Sequence, residues 1–188
     1  IFVSEAYKNF FTNKLLPKNF KFVLTTNGNL LIKSLEILDK IKNQIDSVII
    51  SLDAATSETY KKVRGGNFEF VLDGLTLLKQ YGILTHTQFV VQKENYKELL
   101  DYKNLVRQHG VVTIGYQMIR KWSHMTTSWW DLNKINDNVD VDIELLKQNI
   151  KLLYGEHDIN ICGGLLSLIK GSYGTDLHPS SSPSLTRD

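Results

Sequence analysis

The sequence has little cysteine, little proline and no long apolar run, and two of these shortages exclude a class of protein. The 188 residues contain one cysteine, Cys162, so the chain can form neither an internal disulfide nor a metal site from several cysteines of its own. No apolar stretch approaches the roughly 18 residues that a membrane span needs. The first residues lack the basic-then-apolar pattern of a signal peptide, and we therefore expect a cytoplasmic location.

Charge and composition are those of an ordinary globular domain. The formal net charge is +2, with 22% charged and 42% hydrophobic residues. The chain contains no block of basic residues of the kind that binds nucleic acid. We therefore expect neither nucleic acid nor a membrane as a partner.

The chain opens on IFVSEAYKNFF, without a methionine. Ser4 is suited to cap a helix over residues 4–15, which Pro17 would end. A helix needs a partner against which to bury its apolar face, and no strand precedes this one. We therefore expect further sequence upstream of Ile1.

Four apolar strands alternate with helices after that opening. This alternation predicts an α/β fold with parallel strands, either an open sheet or part of a (βα) barrel. The helix after the first strand should bury Leu31, Leu35, Leu38 and Ile41, and Ser57 should cap the helix after the second. The predicted strands cover residues 21–26, 47–53, 84–91 and 111–118, and the predicted helices cover residues 30–43, 57–63, 68–80, 95–109 and 141–154.

Polar side chains follow each of the four strands where it ends. In parallel α/β folds, ligands bind outside the carboxyl ends of the strands. Hydrogen-bonding groups at all four ends would form a polar rim suited to a small polar molecule. The rim residues are Thr25, Thr26 and Asn27, then Ser51 and Asp53, then Gln92, Lys93 and Asn95, and finally Gln117 and Arg120 to Trp122.

Each rim residue also has a purely structural interpretation. The stretch TTNGN, residues 25–29, is typical of a turn, because Asn and Gly tolerate the left-handed conformation. On this interpretation Ser51 is a small core residue, and Asp53 and Asn95 are helix caps. Arg64 is then a solvated charge.

Several other residues and motifs carry no chemistry that the sequence can assign. His86 is expected to be packed, and Cys162 to be a small apolar filler. Trp122, Trp129 and Trp130 belong either to the core or to a substrate platform. The chain has no GxGxxG after a strand, no phosphate-binding GxxxxGK(S/T) loop, no zincin histidine pair and no GxSxG elbow.

Several stretches, in order, resemble successive strand regions of the radical S-adenosylmethionine (SAM) enzymes. The most specific is VIISLDAATSETYKKVRGGNFEFVLDGLTLLK, and LTTNGNLL, QFVVQKENYKEL and IGYQMIRKW accompany it. The opening IFVSEAYKNFF is similar to the piece that follows the Gly-rich second-strand motif of the family. The likeness covers about residues 1–135.

The resemblance implies a partial (βα)6 barrel of which this chain holds strands three to six. In the family, three cysteines of a CxxxCxxC loop hold a 4Fe-4S cluster, and the cluster cleaves SAM to methionine and a 5′-deoxyadenosyl radical that abstracts hydrogen from a substrate. The implied partners are a peptide or small-molecule substrate and an electron donor such as flavodoxin or ferredoxin.

The chain departs from the family at the cluster. It has no CxxxCxxC loop, and Cys162 lies far from where that loop belongs. The Gly-rich motif that meets the SAM amino group is absent too, and both would lie upstream of Ile1. We therefore expect a fragment of an enzyme that is inactive by itself, with no metal ligands of its own and no catalytic residue that can be named.

Four of the implied SAM-binding residues belong to the first two strands of this chain. Ser51 corresponds to a serine that contacts the SAM carboxylate or ribose, and Asp53 stands beside it. Thr26 and Asn27 correspond to the TNG turn that lines the SAM side of the barrel.

The other four follow later in the chain. Gln92 and Asn95 correspond to the end of the fifth barrel strand, where polar groups face the ribose. Gln117 and its neighbour Met118 correspond to the sixth strand, near the adenine. Arg64 corresponds to an arginine that touches the SAM carboxylate or stabilises its loop.

Two other functions compete with that of a radical SAM fragment. One is a degenerate barrel, without catalysis, that binds a nucleotide-like ligand and no cluster. The other is an unrelated α/β enzyme acting on a phosphorylated sugar, with Lys93 or Arg120 on the phosphate.

We expect three regions along the chain. Residues 1–135 form the distal part of the barrel, residues 136–177 a helical extension, and residues 178–188, which are rich in Ser and Pro, a disordered tail. Residues 120–135, with the three tryptophans, are the expected substrate-side feature.

Overall fold

The fold was analysed in a computed structural model that describes residue 17, residues 19–118 and residues 142–170. Three predictions lie outside these described residues. They concern the helix over residues 4–15, the Trp-containing segment 120–135 and the tail 178–188.

Five parallel strands form one sheet in the described part of the chain, in the spatial order β1-β2-β3-β4-β5. Each strand pairs with the next one along the chain, so β1 and β5 are the edges and the sheet is not closed. This confirms the predicted parallel α/β architecture. The strands are β1 (Phe22–Thr26), β2 (Ile45–Ser51), β3 (Leu84–Val91), β4 (Thr113–Met118) and β5 (Ile159–Ile161).

Helices connect the strands, as apolar periodicity predicts. The predicted bounds 57–63, 68–80 and 84–91 agree with the structure residue for residue. The described helices are α1 (Leu35–Ile41), α2 (Ser57–Val63), α3 (Phe68–Gln80), α4 (Leu99–Gln108), α5 (Ile143–Leu153) and α6 (Gly163–Lys170), and short 3-10 turns cover Ile32–Ser34, Lys42–Gln44 and Tyr96–Glu98.

The fifth strand was not predicted from the sequence. β5 has only three residues and pairs with β4 through Ile114 and Ile159. So short a segment shows no period-two pattern, which explains why hydrophobic periodicity does not find it. Residues 142–170 therefore contribute a strand to the sheet as well as helices.

Three local predictions are wrong. Thr56, not Ser57, caps α2, because its Oγ1 accepts the N–H of Thr59 at 3.2 Å. Asn95 makes no capping hydrogen bond to the turn that follows it. Leu35 is 43% exposed, because the 3-10 turn before α1 shifts the phase of the helix and brings Ile37 into the core instead.

A cluster of charges ties α4 to the loop before β5. Arg107 binds Asp158 with two nitrogens, Nε at 2.9 Å and Nη2 at 2.6 Å, and also reaches Glu156 at 2.6 Å. Lys103 binds Glu156 at 2.9 Å. These contacts lower the pKa of Asp158 and of Glu156 through hydrogen bonds from Arg107 and Lys103.

We expect Arg107→Ala to lower the free energy of unfolding by about 1–2 kcal/mol, since it removes partly screened charged hydrogen bonds. The lowered pKa values of both carboxylates mean that their stabilisation is complete above about pH 4 and is lost as the pH falls below it. Urea unfolding between pH 3 and pH 7 measures both effects.

Lys147→Ala is the matched control, because Lys147 pairs with Glu144 on an exposed face of α5. It should change stability little. An acid dependence of unfolding that is the same in Arg107→Ala as in the wild type would contradict the role of the cluster.

Candidate functional site

The two faces of the sheet differ in burial and in chemistry. Side chains of neighbouring strands that are paired in register lie on the same face, and successive residues alternate between faces. On one face Leu24, Val48, Ile50, Phe89 and Tyr116 are buried under the helices. The other face is half-buried to exposed over most of its length, and we call it the open face. Its residues are Val23, Thr25, Ser47, Ile49, Ser51, Leu84, His86, Gln88, Val90, Thr113, Gly115, Gln117 and Asn160.

The open face offers hydrogen bonds without formal charge. Hydroxyl and amide groups lie in register across it, as where Ser51 pairs with Gln88. None of its described residues is Asp, Glu, Lys or Arg. Burial lowers the pKa of His86, while Asp46 acts weakly in the opposite direction, so this imidazole is neutral near pH 7.

The turn after β1 uses its polar side chains on its own backbone. The Oγ1 of Thr26 accepts the N–H of Gly28 at 3.2 Å, and the Oδ1 of Asn27 accepts the N–H of Asn29 at 3.2 Å. Gly28 has φ +80°, and a Cβ there would lie 2.9 Å from Val71 Cγ1. The predicted turn role of Thr26 and Asn27 is therefore present.

Asn29 joins that turn to the loop between α2 and α3. Its Nδ2 donates to the Tyr60 hydroxyl at 2.7 Å, and its Oδ1 accepts the N–H of Asn67 at 2.8 Å. A Cβ on Gly66 would lie 2.6 Å from the Asn29 Oδ1. This bridging role is not predictable from the sequence, because nothing in the local pattern distinguishes Asn29 from Asn27.

Asp53 is a buried acid in an ion pair with Arg64. It is 3% exposed, and its Oδ2 accepts from Arg64 Nε at 2.6 Å and Nη2 at 2.5 Å. Its Oδ1 accepts the N–H of Val90 at 2.8 Å. Burial raises the pKa of Asp53, and Arg64 and the Val90 N–H oppose that rise. Two structural alternatives are thus wrong, since Asp53 does not cap a helix and Arg64 is not simply solvated.

Asn95 is completely buried, and its amide group is fully engaged with backbone. Its Nδ2 donates to the carbonyls of Asp53 and Val90, both at 2.9 Å, and its Oδ1 accepts the N–H of Gln92 at 2.8 Å. Gln92 is itself 6% exposed. Asn95 therefore joins the segment after β2 to the segment after β3.

Glu98 makes a second connection between the same two segments, which the sequence analysis missed. Its carboxylate accepts the N–H of Ala55 at 2.7 Å and the hydroxyls of Thr59 at 2.5 Å and Thr56 at 3.1 Å. Glu98 lies in the first turn of the predicted helix over residues 95–109, where an acidic residue is ordinary, so no sequence signal points to this role.

Two of the eight predicted site residues, Ser51 and Gln117, lie on the open face. Ser51 is half-buried and Gln117 is exposed. The other six are not brought together there. Thr26 and Asn27 bind the backbone of the turn after β1, and Asp53 and Arg64 form an ion pair. Asn95 lies in the buried junction at the carboxyl edge, and Gln92 is buried. Ligand contact by any of the eight remains a prediction.

The donor set of the described residues does not fit an iron–sulfur cluster. No group of three or more His, Cys, Asp or Glu able to hold a metal occurs among them. Cys162, the only thiol of the sequence, is half-buried, packs against the core, and its Sγ accepts the N–H of Met118 at 3.2 Å. Separately, no helix in the described ranges is long and apolar enough to cross a membrane.

One known protein family matches more than half of this sequence. The family model for the radical SAM superfamily matches residues 4–106. The chain belongs to the radical SAM superfamily. An unrelated phosphate-sugar enzyme is therefore the wrong interpretation, and a search of curated proteins gives no match.

Solved radical SAM-like structures share the fold. The crystal structure of SuiB from Streptococcus suis has 19% identity and a TM-score of 0.54, over 76% of this chain and 32% of that one. The structure of SuiB bound to S-adenosylmethionine has 16% identity and a TM-score of 0.52, over 80% of this chain and 34% of that one. The structure of SuiB bound to precursor peptide SuiA has 17% identity and a TM-score of 0.56, over 80% of this chain and 34% of that one. The chain thus spans about a third of the length of these structures.

We expect Gly28→Ala to destabilise this radical SAM chain more than Gly82→Ala. Both residues have positive φ, but a Cβ on Gly82 would meet nothing within 4 Å. Gly82→Ala should therefore cost about 1–2 kcal/mol of backbone strain, and Gly28→Ala should add the clash with Val71. Urea unfolding of the two variants measures the difference, and equal losses would show that the turn is not held against α3.

Proposed function

We propose that this chain is the distal, SAM-binding part of the core of a radical SAM enzyme. Family membership over residues 4–106 is the observation that carries the proposal. The complete enzyme would cleave SAM reductively and abstract hydrogen from a peptide or small molecule. The three thiolates that hold the 4Fe-4S cluster would come from outside these residues, because the sequence has a single cysteine.

The open face is the proposed binding surface for the nucleoside part of SAM. An adenosine group presents ribose hydroxyls and ring nitrogens, which pair with uncharged hydroxyl and amide groups. Ser51 and Gln117 have that chemistry and lie on this face near the carboxyl ends of β2 and β4. Asn27, which is exposed in the turn after β1, is the proposed third contact.

A peptide is the proposed substrate class. The likeness in fold to SuiB, whose structure is known with the precursor peptide SuiA, supports this choice over a free metabolite. A small flavodoxin or ferredoxin is the proposed electron donor. The proposed location is the cytoplasm, where such reductants are found.

A second candidate function is binding without catalysis. The single cysteine and the absence of a metal-binding group among the described residues favour a degenerate barrel that keeps a nucleotide-like ligand. The two candidates differ in what precedes this chain in the polypeptide.

We expect the gene to encode, in frame and upstream of Ile1, a CxxxCxxC motif followed by a Gly-rich segment. Those elements would supply the cluster ligands and the contact to the SAM amino group. Sequencing the locus tests this directly. A reading frame without the cysteines would contradict the enzymatic proposal and leave the binding module.

We expect that longer polypeptide, reconstituted with iron and sulfide and reduced by dithionite, to form 5′-deoxyadenosine from SAM. Ser51→Ala should raise the KM for SAM by about two- to tenfold, which is the value of one lost hydrogen bond. Chromatographic quantification of 5′-deoxyadenosine measures both quantities.

Ser57→Ala is the matched control, because Ser57 is an exposed serine in the first turn of α2. Its KM should equal that of the wild type. Equal KM values for Ser51→Ala and the wild type would remove Ser51 from the SAM site, and no 5′-deoxyadenosine at all would refute the proposed function.

A further inference from the structure

The carboxyl ends of β2 and β3 are held together by side chains beyond the last backbone hydrogen bonds of the ladder. The last such bond runs from the Leu52 N–H to the Gln88 carbonyl at 3.1 Å. After that point, the Asp53 carboxylate binds the Val90 N–H at 2.8 Å, where a continued parallel ladder would offer the Leu52 carbonyl. The strand pair is thus extended by a side chain.

Asn95 completes this junction from the other side. Val90 has its N–H bound by Asp53 and its carbonyl bound by Asn95 at 2.9 Å. Asn95 also donates to the Asp53 carbonyl at 2.9 Å, so one buried amide spans both strand ends. With no exposed surface, Asn95 has no path to a ligand in this arrangement.

Glu98 adds a second tie one turn further along. Through Ala55, Thr56 and Thr59 it fixes the loop that leads from Ser51 into α2. We call the side chains of Asn95 and Glu98 the clasp. Both members come from the segment after β3, and both hold the segment after β2.

We propose that the clasp is a positioning device for the ligand of the open face. Asn95 and Glu98 act through the spacing of the strand ends, which sets where Ser51 on β2 lies relative to Gln88 and Val90 on β3. Asn95, which the resemblance places among ligand contacts, is on this view a positioning residue. The inference rests on the proposed function, since the ligand is taken to be SAM or its analogue.

The clasp has a structural consequence that needs no ligand. Loss of the Asn95 amide leaves the Val90 and Asp53 carbonyls without that donor, so the strand ends should open more often. In Asn95→Ala the Val90 amide should exchange its hydrogen with solvent at least tenfold faster, measured by NMR. Exchange within the ladder, as at Val48 in the middle of β2, should not change.

Asn149→Ala is the matched control for general destabilisation. Asn149 is a buried asparagine, 6% exposed, on α5, and the hydrogen bonds described above that join the two strand ends do not involve it. It should lower the melting temperature without accelerating exchange at Val90. Equal acceleration in both variants would overturn the local role of the clasp.

A second experiment tests the effect on ligand binding. Calorimetry measures the affinity of the longer polypeptide for S-adenosylhomocysteine, at a temperature at which all variants are folded. Asn95→Ala and Glu98→Ala should each weaken binding by about tenfold, and Asn149→Ala should not. Glu98→Gln, which keeps one acceptor oxygen, should recover part of the loss. A positioning role predicts this rescue, whereas a merely structural role changes melting but not affinity per folded molecule.

The outcomes separate the two proposals. If the wild type binds and the clasp variants bind equally well, the positioning role is overturned and the proposed function stands. If the wild type does not bind S-adenosylhomocysteine at all, the proposed function is refuted, and the positioning role, which depends on it, is refuted as well. Accelerated exchange at Val90 together with weakened binding supports both.

Discussion

Every backbone N–H and carbonyl must find a partner where a parallel sheet ends, and this requirement shapes the carboxyl edge of the protein. Val90 meets it with the carboxylate of Asp53 on one side and the amide of Asn95 on the other. The acid that makes this contact is buried, so it needs Arg64 as a counter-charge. Arg64 in turn stands at the end of α2, and the following loop is held by Asn29. The need to satisfy the backbone groups of one strand end thus explains a connected series of polar contacts around the carboxyl edge.

Hydrophobic periodicity was enough to predict most of this fold and little of the site. The apolar faces of residues 57–63 and 68–80 fix those helices, and the bounds agree because caps at Thr56 and Asn67 and the glycine at position 82 punctuate them. β5 has too few residues to show a period. The roles of the rim residues are harder to predict from sequence, since Asn and Asp serve turns, junctions and ligands with the same atoms. Ser51 and Asp53 lie only two residues apart, and only the tertiary contacts of Asp53 with Arg64 and Val90 distinguish the buried acid from the half-buried serine.

The charge cluster and the proposed ligand site lie at opposite edges of the sheet. The charge cluster of Arg107, Glu156 and Asp158 joins the end of α4 to the loop before β5, which is the amino edge. The junction of Asp53, Asn95 and Glu98 lies at the carboxyl edge, where parallel folds place their ligands. The charges of these two clusters are paired or hydrogen-bonded within the protein. They are therefore held in internal contacts, and the open face between the edges carries uncharged groups.

That neutrality suits the chemistry proposed for the family fold. Abstraction of a hydrogen atom moves no net charge, so the surface around it gains nothing from an ionised acid or base. What it needs is accurate placement, because a radical reacts with whatever C–H bond lies within reach. Hydroxyl and amide groups on rigid strands supply directional contacts, and a buried junction such as that of Asn95 keeps those strands at constant spacing. If the proposed function holds, polar residues at the strand ends of this chain serve placement first, and the chemistry belongs to the cofactor.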